Sequence, residues 1–247
     1  MTKTCSSLIA VVICIFLHTA PSNAADSRKT LKISEQNVKV LKDIGSRSDL
    51  EVLSISCIEN LQSLPDSIGK LTGLKALTVA EGHGNGCSMN PLLPESLGNL
   101  RALEELILYG AQDPRGPGHM NAEHHKFPST MTQLTSLTYL DLGGNGYTEI
   151  PTFVKDLPRL KVLGFEYNEL KEVPAFLSNL QALTTLKLFG NDLSDLPDFL
   201  NTLPKLTHIS LGQNCKITQH ETKMKELKKR FPKVTFDFTE EYDCPAE

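Results

Sequence analysis

The sequence has no tryptophan, and its five tyrosines and ten phenylalanines make aromatics only 6% of 247 residues. A sizeable core must therefore be built from aliphatic side chains. Charge of one sign is also lacking, since 25 Lys and Arg stand against 29 Asp and Glu. That near balance excludes the basic surface on which nucleic-acid or anionic-membrane binding depends. After Leu17 no stretch approaches the roughly 20 apolar residues of a membrane helix, so no membrane insertion is expected. The run Gly82-x-Gly84-x-Gly86 opens no β-α-β unit and is not read as a nucleotide loop. No cofactor is expected.

The first 24 residues read as an export signal: Lys3 supplies charge, Leu8 to Leu17 is apolar, and Ser22-Asn-Ala24 offers small residues for cleavage. Its loss leaves 24 basic against 29 acidic residues. The expected location is secreted, periplasmic or cell-surface, and the expected organisation is a signal at 1–24, an N-terminal cap at 25–49, a repeat array at 50–217 and a C-terminal cap at 218–247.

One phrase dominates the remainder. Leu137-Thr-Tyr-Leu140-Asp-Leu142-Gly-Gly-Asn145 returns as Leu160 to Asn168, Leu183 to Asn191 and Leu206 to Asn214, each step being 23 residues. Earlier copies begin at Leu50, Leu74 and Leu103, with insertions of 1, 6 and 11 residues between starts, so the array has seven turns. The Leu-x-Leu alternation makes a short strand apolar on one side. Such a strand cannot bury its face alone, and stacking turns about 4.8 Å apart closes a shared core. Leu64-Pro65, Leu93-Pro94, Ile150-Pro151, Val173-Pro174 and Leu196-Pro197 open short helical or 3-10 segments that return the chain along the outer side. Asn145, Asn168, Asn191 and Asn214 end their strands, where inward amides can satisfy neighbouring backbone groups as a structural ladder.

Before the array, Val38, Leu41 and Ile44 suit one face of a short helix ending near Gly45. After it, Met224 and Leu227 among Lys223, Lys225, Lys228, Lys229 and Arg230 read as a helix with a solvated basic face, followed by a strand at Phe231 to Phe238. Four cysteines follow the signal, and in an exported chain they allow three disulfide pairings. Cys57–Cys87 on adjoining turns and Cys215–Cys244 tying the tail to the last turn are preferred, with four free buried thiols as the alternative.

The residues Leu183 to Pro197 spell Leu-x-x-Leu-x-Leu-x-x-Asn-x-Leu-x-x-Leu-Pro, and with them the chain resembles the leucine-rich repeat proteins over about Leu50 to Phe238. Leu-Pro in the linking part is similar to bacterial and ras-group-type repeats. The resemblance implies an α/β repeat solenoid, a horseshoe with short parallel strands on its concave side and helical or 3-10 segments on its convex side. It also implies binding of another macromolecule by the concave sheet or adjoining loops, including host interaction or adhesion.

Residues between the leucines must point away from the core. There the later turns present Glu105, Ile107, Tyr109, Tyr139, Asp141, Glu166, Lys187, Phe189 and His208, with Tyr167 just beyond its strand. Aromatics among charges are what interface anchors look like, so these residues form the expected ligand-binding surface, centred on Tyr109, Tyr139, Glu166 and Phe189. The insertions at 82–90 and 110–125 follow strands on one edge and add His83, His119, His124 and His125. Imidazoles suit a metal, but their spacing matches no ligand motif, and no metal site is assigned. Asp141 stands three strands, about 14 Å at 4.8 Å each, from His208 and Ser210, too far for a catalytic relay. The chain is expected to be a non-enzymatic protein-binding module. Inhibition of a secreted enzyme and metal binding through the histidine loops are the alternatives.

Overall fold

The computed structural model of the protein describes residues 29–56, 58, 61–80, 91–110, 127–239 and 244. Nine parallel strands among them form one sheet in chain order. They are β1 (Thr30–Ile33), β2 (Val52–Ser56), β3 (Ala76–Ala80), β4 (Glu105–Tyr109), β5 (Tyr139–Asp141), β6 (Val162–Gly164), β7 (Thr185–Lys187), β8 (His208–Ser210) and β9 (Thr235–Asp237). The repeated leucines come into register: Leu53, Leu77, Leu106, Leu140, Leu163, Leu186 and Ile209 are successive partners across the sheet. Each is at most 1% exposed. Register is therefore held by burial, because a one-residue slip would turn every leucine outward.

No strand is expected from the sequence before Leu50, yet Thr30–Ile33 forms β1 and pairs with β2. Leu31 and Ile33 continue the apolar columns of Leu53 and Ile55, but two apolar residues in four are too few to show as a pattern. The cap helix over Glu35–Ser46 is 3-10 rather than α, broken at Asn37 and Asp43, and it buries Leu41 and Ile44.

Six outer segments, Asp66–Lys70, Glu95–Asn99, Ser129–Gln133, Thr152–Asp156, Ala175–Asn179 and Asp198–Thr202, are five-residue 3-10 helices, each preceded by proline. The sixth proline, Pro128, follows a phenylalanine and so escapes the Leu-Pro pattern. Every proline carbonyl accepts the N–H three residues on, as Ile68 N–H to Pro65 O at 2.9 Å and Leu200 N–H to Pro197 O at 3.2 Å. One tight turn suffices where the chain must double back within 23 residues. In the earlier turns these segments approach to backbone contact: a Cβ on Gly98 would stand 2.5 Å from Thr130 O. In the later turns Phe153, Phe176 and Phe199 occupy the position of Ser96 and Thr130, so side chains set the convex spacing there.

The asparagines knit consecutive turns. Asn168, Asn191 and Asn214 each donate from Nδ2 to a carbonyl 26 residues back, Leu142, Phe165 and Leu188, at 3.1, 2.8 and 2.9 Å. Asn145 reaches 37 residues back, to Leu108 O at 2.7 Å, because the 11-residue insertion intervenes. Each Oδ1 of the later three accepts an N–H of the preceding turn: Tyr147 to Asn168 at 2.9 Å, Leu170 to Asn191 at 2.9 Å and Leu193 to Asn214 at 3.1 Å. Asn145 Oδ1 is buried without a partner among the described residues.

At the C-terminal end, α1 (Cys215–Thr218) and α2 (Glu221–Arg230) bring Leu227 and Phe231 onto the last turn, and β9 pairs with β8. The basic run is largely engaged: Lys225 pairs with Glu221 at 2.7 Å, Lys228 lies 5.4 Å from the Phe238 ring centre, and Arg230 meets Asp195 and Asp198 at 3.0 Å. A disulfide joins Cys215 to Cys244, Cα atoms 5.6 Å apart. Residues 1–24, Cys57 and Cys87, and the insertion histidines His83, His119, His124 and His125 lie outside the described residues.

Asn191→Ala removes two buried donations and one acceptance, and chemical denaturation should show a loss of about 3 kcal/mol. Replacing both Cys215 and Cys244 by serine opens a loop of 29 residues. The expected loss is about 3 kcal/mol, measured against the same protein under reducing conditions, where the difference should vanish.

Candidate binding surface

Side chains between the leucines alternate onto the open face, and the register shows which of them meet. Glu105 on β4 is level with Tyr139 on β5, and Ile107 with Asp141. Asp141 is in turn level with Gly164 on β6, Lys187 on β7, Ser210 on β8 and Asp237 on β9. Beyond the strand ends parallel hydrogen bonding continues, with Gly144 N–H to Glu166 O and Tyr167 N–H to Phe189 O both at 2.8 Å. This places Glu166, Tyr167 and Phe189 on one rim of the face, with Tyr109 at the end of β4.

Nine of the ten expected surface residues keep exposed area, with His208 the most open and the others half-buried. The structure places Asp141 differently: it is only 7% exposed. Its Oδ1 accepts the Gly143 N–H at 2.9 Å, its Oδ2 lies 3.5 Å from the Tyr139 hydroxyl, and a Cβ on Gly164 would come within 2.7 Å of Oδ1. Glycine at 164 makes room for the carboxylate to lie against the sheet. Asp141 therefore supports the face from beneath rather than offering itself to a partner. Lys187 reaches across two strands to the Tyr139 hydroxyl at 3.3 Å, its Nζ 5.6 Å from that ring's centre. His208 stands apart, its Nδ1 2.8 Å from Thr207 Oγ1.

The rings follow a rule that the leucine pattern conceals. A Cβ on Gly143 would meet the Tyr109 ring at 2.6 Å, one on Gly190 the Tyr167 ring at 2.9 Å, and one on Gly212 the Phe189 ring at 2.7 Å. In each case the glycine holds the same place as the aromatic, one turn later. Each ring thus lies across the bare backbone of the next turn. Tyr167 and Phe189 also touch, ring centres 5.2 Å apart and tilted by 59°. Tyr167 adopts φ 53 and Gly190 φ 66, the left-handed turn that glycine takes at no cost and tyrosine only under constraint. Gly143, Gly164, Gly190 and Gly212 are thus site residues that sequence reasoning missed, although aromatic-then-glycine at one register would have marked all but Gly164, which follows Asp141.

The carboxyl groups on this face are unsettled. Burial pushes Glu166 up to about 7, with Asp141 and Asp237 adding to the rise and Lys187 opposing it. Glu105 is raised first by burial and then by Asp141. Asp141 is raised by burial against the pull of the Gly143 N–H and Lys187. The Tyr139 phenol is raised by burial and by the carboxylates of Asp141, Glu166 and Glu105. The side-chain carboxylates of Glu105 and Glu166 receive no hydrogen bond from the described residues. Among those residues no three His, Cys, Asp or Glu side chains come together as a metal would require.

Residues 135–193 match the leucine-rich repeat family model. That segment is a run of leucine-rich repeats. A leucine-rich repeat protein of Leptospira interrogans superposes with a TM-score of 0.53 at 22% identity, over 86% of this chain and 61% of that one. An internalin of Listeria monocytogenes does so with a TM-score of 0.51 at 19% identity, over 83% of this chain and 58% of that one. The chain thus spans about three fifths of either structure's length. No curated protein sequence matches it. The likeness establishes the fold, a horseshoe with the parallel sheet on the concave side, and leucine-rich repeat proteins generally act as interaction scaffolds. No described helix is long and apolar enough to cross a membrane.

Glu166 binds a proton more tightly folded than unfolded, so between about pH 4.5 and 7 the folded state holds the extra proton and stability falls as pH rises. Glu166→Gln should therefore raise the melting temperature at pH 8 and leave it unchanged near pH 4.5, as scanning calorimetry at both values can check.

Proposed function

We propose that the protein is a non-enzymatic, exported binding module that engages a protein partner on its concave face, with Tyr109, Tyr139, Glu166 and Phe189 at the centre. The observation that carries this reading is the set of half-buried rings seated on glycines. Tyr109, Tyr167 and Phe189 are held in place before any partner arrives, so little side-chain entropy is lost when one docks. Pre-ordered aromatics beside partly desolvated charge are the composition of interface anchors. The general use of leucine-rich repeat folds as scaffolds supports the same conclusion.

Catalysis has no support on this face. His208, Ser210 and Asp141 face the same side, but Asp141 is buried three strands away and bonded to Gly143 and Tyr139. Export rests on the N-terminal signal features, which also imply that the mature chain begins after Ala24. A secreted, periplasmic or surface location follows, and a role in host interaction or adhesion agrees with it.

Affinity capture tests the reading. Purified protein immobilised against host or cell-envelope extracts should retain a partner, and Tyr109→Ala/Phe189→Ala should recover at least about ten-fold less of it, the loss typical of central anchors. Circular dichroism and the melting temperature show whether the variant remains folded. Equal recovery by a folded variant would remove the concave face from the proposal.

A further inference from the structure

The open face from β4 to β9 carries charge of one dominant sign. Among the described residues its carboxylates are Glu105, Asp141, Glu166 and Asp237, against the single lysine Lys187. That lysine already lies against the Tyr139 hydroxyl and ring. Glu105 and Glu166 are half-buried, and their carboxylates receive no hydrogen bond from the described residues. The rings of Tyr109, Tyr167 and Phe189 share the rim of the face with Glu166. We propose that the concave face takes a cationic protein segment, with a Lys or Arg side chain docking between Glu105 and Glu166 above Tyr139. This rests on the proposed function and adds the chemistry of the partner.

The argument is charge complementarity under partial burial. Each carboxylate is removed from much of its water and repelled by Asp141, and both act on the Tyr139 phenol that stands between them, so a cation placed over that phenol relieves the cost of each. Guanidinium suits the site further because it stacks on aromatic faces while forking to carboxylates. A sugar could stack on the same rings, but its hydroxyls would leave the repulsion of each glutamate by Asp141 in place. The tilted Tyr167 and Phe189 rings, 59° apart, also present no single flat platform for a pyranose face.

A consequence distinguishes this docking from general attraction to an acidic protein. Around Glu166 stand Tyr139 and Asp141 from β5, Lys187 from β7, and Asp237 from β9, while Glu105 on β4 acts on the same Tyr139 phenol and His208 on β8 lies on the same face. In the free protein Glu166 holds its proton to about pH 7. A docked cation favours the carboxylate, so binding expels protons and strengthens as pH rises.

The probe is a fluorescein-labelled decapeptide of alternating arginine and glycine, titrated into the full chain by fluorescence anisotropy, with an alternating glutamate and glycine peptide as control. The arginine peptide should bind and the glutamate peptide should not. Glu105→Gln/Glu166→Gln should weaken binding about ten-fold or more, whereas Glu169→Gln/Glu172→Gln, the same charge change at exposed positions, should change it less than about two-fold. Between pH 8 and 5.5 the affinity of the unaltered protein should fall about ten-fold, and that of Glu105→Gln/Glu166→Gln should stay flat. No binding of the arginine peptide, equal loss in both double variants, or a pH response kept by Glu105→Gln/Glu166→Gln would overturn the inference. If a captured partner is lost on Tyr109→Ala/Phe189→Ala but kept on Glu105→Gln/Glu166→Gln, the face binds and its charge is not the reason. If it is kept on both, the face itself is the wrong surface.

Discussion

A strand of three to five residues buries one face only when another strand lies on each side of it, and every feature of this chain follows from that requirement. Parallel stacking at the fixed spacing of hydrogen-bonded strands aligns the leucines into columns, and those columns are the core. The same stacking leaves backbone groups at the turn out of each strand with no ladder partner. Asn168, Asn191 and Asn214 answer both sides of that shortage, each donating to a carbonyl and accepting an N–H from the turn before. Where the 11-residue insertion breaks the spacing, Asn145 still donates across the gap to Leu108 O, but its own oxygen has no partner among the described residues.

The fixed spacing also governs the outer face. With neighbouring turns held so close, a ring has no room to lie flat unless the next turn has no side chain there, hence Tyr109 on Gly143, Tyr167 on Gly190 and Phe189 on Gly212. The same crowding brings Asp141 near enough to Glu105 and to Glu166 to raise the proton affinity of each, with Lys187 as a partial counterweight at Glu166. Binding capacity and electrostatic tension on this face are thus two results of one geometry. An elastic loop could have spread these groups apart, whereas a solenoid cannot.

Much of the fold was legible because its signals are periodic. Seven leucine phrases, their proline-marked returns and the terminal asparagines each repeat, and repetition lifts a weak local preference above noise. What escaped was short or singular: β1 shows only Leu31 and Ile33, and Pro128 follows Phe127 instead of an aliphatic residue. On the candidate surface, alternation alone placed nine residues with exposed area but could not tell that Asp141 turns back against the sheet. That depends on Gly164 in the next turn, 23 residues on, and on the Gly143 N–H.

By itself, then, the sequence determined the solenoid, its register and the identity of every side chain on the open face, because period and alternation are properties of the chain read along its length. Only the tertiary structure decided which of those side chains are held, which are buried and which oppose one another, since these are relations between consecutive turns. Whether a carboxylate at one position is an exposed contact or a buried support rests on the presence of a Cβ one turn away.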